Sequence, residues 1–219
     1  MAKNNKENEN NRDTEMLYKY RSLQNFELVA DIIKNNRLYA ASYKNMNDPM
    51  EGFYYFDGKL DGFIKDQIYS EKSKLKICSL SIDNNDPLMW GHYANGNKGV
   101  VLGVRINKSK IEIKYDENLP IFGNPQILNA KDILSYKTTP WSYEKEWRVF
   151  SDKEFIECKV DSVYFGIKTS SENIDLLRCI IEKYNPTIKI YQQTREFNFR
   201  ELPPLRRESN TFEEQTLVQ

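Results

Sequence analysis

Gly99-Val100-Val101-Leu102-Gly103-Val104-Arg105-Ile106 is the stretch on which the fold turns. It is nearly continuous in apolar character and rich in β-branched residues, the pattern of a central strand buried on both faces of a sheet. Upstream of it, Asn95-Gly96-Asn97 ends a short helix that starts at Asp86-Pro87 and runs through Ala94, proline being well tolerated in a first helical turn. Before that helix lies the apolar strand Leu75 to Ser81, fed by a helical stripe of Leu60, Phe63, Ile64 and Ile68. Still further upstream, Leu17 to Arg21 reads as a strand, Phe26, Val29, Ala30 and Ile33 as a helix, and Leu38 to Ser42 as a second strand.

Downstream, Ile111 to Tyr115 reads as a strand and Ala130 to Tyr136 as a short helix. Trp147 to Phe150 and Val160 to Ile167 read as strands. Thr169 and Glu172 form a capping box for a helix carrying Ile174, Leu177, Ile181 and Tyr184, stopped by Asn185-Pro186. Ile188 to Tyr191 and Phe197 to Leu202 supply two last strands. Strands and helices mix without the regular alternation of a doubly wound sheet, so the expected class is α+β, with mixed or antiparallel sheets and short helices. The expected organisation is a loose tail over 1–15, a single domain over 16–202 and a flexible, charged tail over 203–219.

Composition removes several classes of function. The chain has 219 residues, and 32 Lys plus Arg balance 32 Asp plus Glu, so the basic excess of a general nucleic-acid binder is absent. No run of about 18 apolar residues is present to span a bilayer, and the polar start from Met1 to Thr14 lacks the apolar stretch of a signal peptide, which predicts a cytoplasmic protein with no membrane partner. Cys78, Cys158 and Cys179 are odd in number, far apart and in no C-x-x-C pair, so they read as reduced packing residues. With a single histidine, His92, zinc hydrolases and most triad enzymes are disfavoured. The G-x-S-x-G, P-loop and G-x-G-x-x-G signatures are also missing.

Chemistry is then left to carboxylates, arginines, hydroxyls and aromatics in three segments. In Trp141-Ser142-Tyr143-Glu144-Lys145-Glu146-Trp147-Arg148-Val149-Phe150, strand geometry would put Glu144, Glu146 and Arg148 on one face, either as a solvated charged surface or as a carboxylate site on a rigid strand. Ile77-Cys78-Ser79-Leu80-Ser81 ends a strand with two hydroxyls on one face and leads to Met89-Trp90-Gly91-His92-Tyr93-Ala94. There, Trp90 and Tyr93 read as core or as a stacking platform, and His92 as a proton donor or a packing group. In Tyr18-Lys19-Tyr20-Arg21, cations alternate with tyrosines, compatible with phosphate binding or with an edge strand.

The order of these segments resembles the ADP-ribosyltransferase fold, in which an arginine strand, an S-T-S strand, an aromatic-bearing segment and an E-x-E strand line one cleft for NAD. Arg21 matches the arginine, Ser79 and Ser81 the serines, Glu144 and Glu146 the glutamates, and Tyr93 or Trp90 the aromatic, with Leu80 standing where threonine is usual. The chain is more closely similar to a bacterial family, the domain of unknown function numbered two-nine-seven-one. The motifs are Leu17 to Arg21, Asn47-Asp48-Pro49-Met50-Glu51, Met89 to Ala94 with Lys98-Gly99-Val100, and Tyr143 to Arg148. The resemblance implies NAD as substrate, with Glu146 at the ribose, Glu144 at the acceptor, Arg21 on the pyrophosphate, Ser79 on the nicotinamide amide and Tyr93 stacked on its ring, without a metal. It also suggests a toxin or phage-defence effector, with an inhibitor as partner and a protein, a nucleic acid, a small molecule or water as acceptor. One competing expectation is a nuclease or phosphodiesterase gathering Asp48, Glu51, Glu144 and Glu146 around Mg²⁺, with Arg148 on a phosphate. The other is a non-catalytic module that holds a nucleotide or a partner.

Overall fold

A computed structural model describes residues 15–124 and 128–204. The expected tails fall, but for Glu15, Pro203 and Pro204, outside the described residues. Strand β1 is Leu17–Arg21, helix α1 Phe26–Asn35, β2 Arg37–Tyr39, β3 Ala41–Ser42 and β4 Tyr55–Phe56. Helix α2 is Gly62–Lys74, β5 Lys76–Ser81, α3 Pro87–Tyr93, β6 Val100–Arg105, β7 Ile111–Glu112, β8 Lys114–Asp116 and β9 Ile121–Phe122. There follow α4 Ala130–Ile133, β10 Tyr136–Thr138, a 3-10 turn over Thr139–Glu144, β11 Glu146–Ser151, β12 Phe155–Glu157, β13 Lys159–Phe165, α5 Ser171–Tyr184, β14 Lys189–Gln193 and β15 Phe199–Glu201. The architecture is mixed α and β, as expected.

Nine strands form one sheet in the order β15-β14-β13-β6-β1-β5-β11-β7, with β3 added on β5. Only β13 and β14 pair in parallel within it. The apolar run within Gly99 to Ile106 is β6, five of its six residues buried between β1 and β13. Strand β1 is therefore interior and not an edge strand.

Along one side, β5 pairs with β11 over its whole length, from Lys76↔Ser151 to Ser81↔Glu146. Its other side is interrupted. β3 pairs at Lys76 and Ile77, β1 pairs only at Ser81↔Tyr18, and no ladder spans Cys78 to Leu80. The sheet splits there.

Two cores cover the sheet. Leu17, Cys78, Leu80, Leu102 and Val149 pack with Ile33 of α1 and with Leu177 and Ile181 of α5. On the opposite face α3 contributes Met89 and Trp90, which pack with Tyr20 and Val101. A satellite cluster of Ile68, Leu128 and Ile133 joins α2 to α4. Gly99 at the start of β6 has a backbone requirement: a Cβ there would lie 2.2 Å from the Arg21 carbonyl oxygen.

Several local expectations need correction. Leu38 to Ser42 is two strands with different partners, β2 on β12 and β3 on β5, because Ala40 leaves the ladder and donates to the Glu154 carbonyl. Ile111 to Tyr115 likewise divides into β7, which borders β11, and β8, which pairs with β10. Helix α4 stops at Ile133, leaving Tyr136 to begin a strand. α5 is capped by Ser170, which accepts from the Asn173 amide, while Thr169 is buried and donates to the Gly99 carbonyl. Cys78 and Cys158 are buried thiols, but Cys179 is exposed and not a core residue. No described helix is long and apolar enough to cross a membrane.

Candidate active site

Where β1 and β5 part, a cleft of about 250 Å³ opens, lined among others by Lys19, Arg21, Ser79, Ser81, Tyr93, Lys137, Glu144 and Glu146. Each element delivers its residues for a local reason. The pairs Ser81↔Glu146 and Ser79↔Arg148 place these four side chains on one face of the sheet. Asp86 caps α3 by accepting from the Leu88 and Met89 amides, Pro87 occupies the first turn, and Trp90 anchors the helix against Tyr20 at 5.6 Å between ring centroids. Tyr93, one turn on from Met89, then faces the cleft.

The E-x-E pair does not lie on one strand. Glu144 ends the 3-10 turn, Lys145 adopts a left-handed conformation with φ 44°, and the strand begins only at Glu146. The two carboxylates nevertheless meet, because Lys137 from β10 reaches Glu144 Oε2 and, at 2.8 Å, Glu146 Oε2. Nor is this a solvated face, since Glu144, Glu146 and Arg148 are all buried.

Arg148, with no exposed surface, forms a fork between two carboxylates. Its Nε and Nη2 donate to Glu146, at 2.8 and 3.1 Å. Nη1 and Nη2 each donate to Glu51 at 2.7 Å, and Nη1 also reaches the Leu134 carbonyl at 2.6 Å. The planar guanidinium thus uses its donors bidentately, as only arginine can. Burial alone would raise the Glu146 pKa, but Arg148 and then Lys137 outweigh it and bring the value down to about 2. On Lys137, burial acts to lower the pKa, and Glu146 and Glu144 more than offset it. The Glu146 amide donates to the Tyr115 hydroxyl at 2.8 Å, fixing the start of β11.

Glu144 is held differently, accepting from the Tyr93 hydroxyl and from Lys137. Burial first, and then Glu144, push the Tyr93 pKa up. Tyr93 therefore serves as a neutral donor. Ser81 is committed as well, its Oγ accepting from the Asp83 amide at 3.1 Å. Ser79 Oγ has only a 4.0 Å contact with Met46 Sδ.

The β1 wall is the opposite in character. Lys19 donates to the Ser79 carbonyl, substituting a side-chain ammonium for the missing ladder bond. Arg21 leaves its Nε buried without a hydrogen-bond partner. Neither residue forms a salt bridge with a described carboxylate; the bridges at the cleft belong to Lys137 and Arg148 on the opposite wall.

Of the anticipated site residues, Arg21, Ser79, Ser81, Tyr93, Glu144 and Glu146 converge on the cleft, and the other five do not line it. Trp90 is fully buried core, its Nε1 donating to the Asn84 carbonyl, so it offers no stacking face. His92 is exposed near the Tyr93 and Tyr143 rings and lies outside the cleft. Asp48 accepts from the Met50 amide at 2.8 Å, stabilising the turn that carries Glu51, and Glu51 reaches only Arg148. Arg148 is the buried clamp on Glu146, with no donor spare for a phosphate. Among the described residues no three His, Cys, Asp or Glu side chains gather to hold a metal. The sequence reading missed Lys137, Tyr115 and the position of Lys19. A usable signal was present: two carboxylates among Trp141, Tyr143, Trp147 and Phe150 require buried cations, and Lys137 is the nearest upstream lysine.

Comparison with family models, with curated proteins and with solved structures finds no match for this chain.

Proposed function

We propose that the protein is an NAD-consuming enzyme of ADP-ribosyltransferase type, and that the split sheet is the NAD cleft of that fold. The observation that carries the reading is the convergence of Arg21, Ser79, Ser81, Tyr93, Glu144 and Glu146 on one cavity at the split between β1 and β5. Breaking the nicotinamide–ribose bond builds positive charge on the ribose, as in glycoside cleavage, and a fixed carboxylate stabilises it. Glu146 suits that role as a permanently ionised, immobile charge and not as a proton carrier, because Arg148 and Lys137 hold both its oxygens. Glu144, held only by cleft residues, is the group placed to orient an acceptor or take its proton. Tyr93 would stack on the nicotinamide ring, Ser79 would meet the ring's amide, and Arg21 would use its free Nε on a phosphate oxygen. The family with motifs like N-D-P-M-E and Y-E-K-E-W-R, a cytoplasmic toxin or phage-defence role, and an inhibitor partner belong to the same proposal.

One observation favours a second reading, a nucleotide-binding module without chemistry: every oxygen of Glu144 and Glu146 already has an internal partner. The test is nicotinamide release from NAD by the native protein, by Glu146→Gln and by Glu144→Gln, with and without cell extract, alongside calorimetric NAD binding. Release should fall by at least about 100-fold in Glu146→Gln, the loss expected when one electrostatic group is removed from a transition state. NAD binding without release under any condition would establish the module instead. Absence of both would overturn the NAD reading.

A further inference from the structure

We propose that Lys19 is a nucleophilic amine that captures aldehydes entering the cleft through the gap in the β1–β5 ladder. The inference goes beyond the NAD reading and does not depend on it.

The amine sits where the sheet is open. Lys19 lines the cleft, and its ammonium donates to the Ser79 carbonyl in the unpaired stretch of β5. Among the described residues it forms no salt bridge, in contrast to Lys137 across the cleft, whose ammonium lies between two carboxylates. The charged and titratable groups around Lys19 are Arg21 on its own strand, Cys78 on β5, and Glu144 and Glu146 on the far wall. Burial, and next the positive charge of Arg21, bring its pKa from 10.5 to about 8, against the weaker opposing pull of Cys78 and the glutamates. A lysine so placed is neutral in roughly a quarter of molecules at pH 7.5, about 200 times the fraction for an ordinary surface lysine. Cys78 does not compete, because burial raises its pKa and keeps the thiol protonated.

In the capture step the neutral amine attacks the aldehyde carbon, and proton transfer onto the former carbonyl oxygen gives a carbinolamine. A second proton, taken from solvent, lets the hydroxyl leave as water, and the nitrogen lone pair closes the C=N bond to leave an iminium on Lys19. A cavity of about 250 Å³ accommodates a small aldehyde without rearrangement.

Glycolaldehyde with cyanoborohydride, which reduces the iminium to a stable hydroxyethyl amine, tests this on the native full-length protein by peptide mass spectrometry. At pH 7.5 Lys19 should be labelled at least tenfold faster than the exposed Lys59 and Lys108. That advantage should shrink toward pH 10 as the surface amines deprotonate. Arg21→Gln should slow labelling of Lys19 several-fold at pH 7.5 without affecting Lys59, because the amine then holds its proton more tightly. Lys19→Arg, with its fold checked by circular dichroism, should abolish the fast phase. Equal labelling of Lys19 and the surface lysines, a preference for Lys137, or an advantage that does not fall with pH would overturn the proposal. None of these readouts requires NAD cleavage, so the proposal stands or fails separately from the transferase reading.

Discussion

The two walls of the cleft carry charge in opposite ways. On the β11 side, Glu51, Glu144 and Glu146 are matched with Lys137 and Arg148, and the paired oxygens and nitrogens satisfy one another within hydrogen-bonding distance. On the β1 side, Lys19 and Arg21 are desolvated with no described carboxylate bound to either. A paired buried charge is a construction element, whose removal strands its partner. An unpaired one is a cost carried by the fold and recovered only when a ligand arrives. The difference implies that substitutions on the two walls shift stability in opposite directions, and the expected effects can be ordered by size.

The largest effect should follow Arg148→Met. The variant leaves Glu51 buried without a cation and Glu146 with Lys137 alone, and breaking such a pair from one side typically costs about 3–5 kcal/mol. Urea denaturation should show a loss of that order, with much of it recovered in the combined variant Arg148→Met/Glu51→Leu, which no longer leaves Glu51 stranded. A loss below about 1 kcal/mol would mean that the clamp is not structural, and the contrast between the walls would collapse.

Acid should dismantle the same wall. The Glu146 pKa is depressed from 4.5 to about 2 in the fold. A carboxylate with a lowered folded value contributes stability that is fully present above pH 4.5 and is lost as pH falls toward 2. The contribution is roughly 3 kcal/mol, at about 1.4 kcal/mol per unit. The stability difference between the native protein and Glu146→Gln, followed by urea midpoint from pH 6 to pH 3, should be constant above pH 5 and shrink below pH 4.5. A flat difference throughout would show that Glu146 is not held by its cations.

How much of this was legible in the sequence depended on whether a residue's role is set by its neighbours in the chain. β6 was readable because a strand buried on both faces has no polar positions to obscure it, and α3 because Asp86, Pro87 and the Asn95-Gly96-Asn97 turn mark its ends locally. The shared cleft of Arg21, Ser79 and Glu146 was legible only through what the resemblance of their order along the chain implied. Strand breaks at Ala40 and Ile113 were not readable, because they are set by which distant strand each half meets. Glu51 and Arg148, 97 residues apart, looked like a metal ligand and a phosphate binder because charge type alone does not reveal a partner. Trp90 and His92, two residues apart on one short helix, divided between core and solvent by the helical turn.

A smaller change, Tyr93→Phe, sharpens the comparison inside the paired wall. It deletes only the hydroxyl that donates to Glu144 and keeps the ring, so Glu144 retains Lys137 as partner. The expected loss is about 1 kcal/mol, the usual net worth of a hydrogen bond. A loss several times larger would place Tyr93 among the supports of the clamp.

The smallest expected shift has the opposite sign and comes from the other wall. Lys19→Met keeps the length and apolar stem of the side chain while removing an ammonium that burial and Arg21 disfavour. For a base whose folded pKa lies at about 8 and whose unfolded value is 10.5, the unfolded chain binds more protons between those values. The native protein therefore gains stability as pH rises from 8 to 10.5, and carries the full penalty below pH 8. Methionine removes the penalty but also leaves the Ser79 carbonyl without its donor, so the net gain at pH 7 should be about 1 kcal/mol. Stability at pH 7 higher than native, with the advantage vanishing by pH 10, is the expected urea result. Destabilisation at pH 7 would mean that Lys19 is held as firmly as Lys137 is, and the two walls would no longer differ.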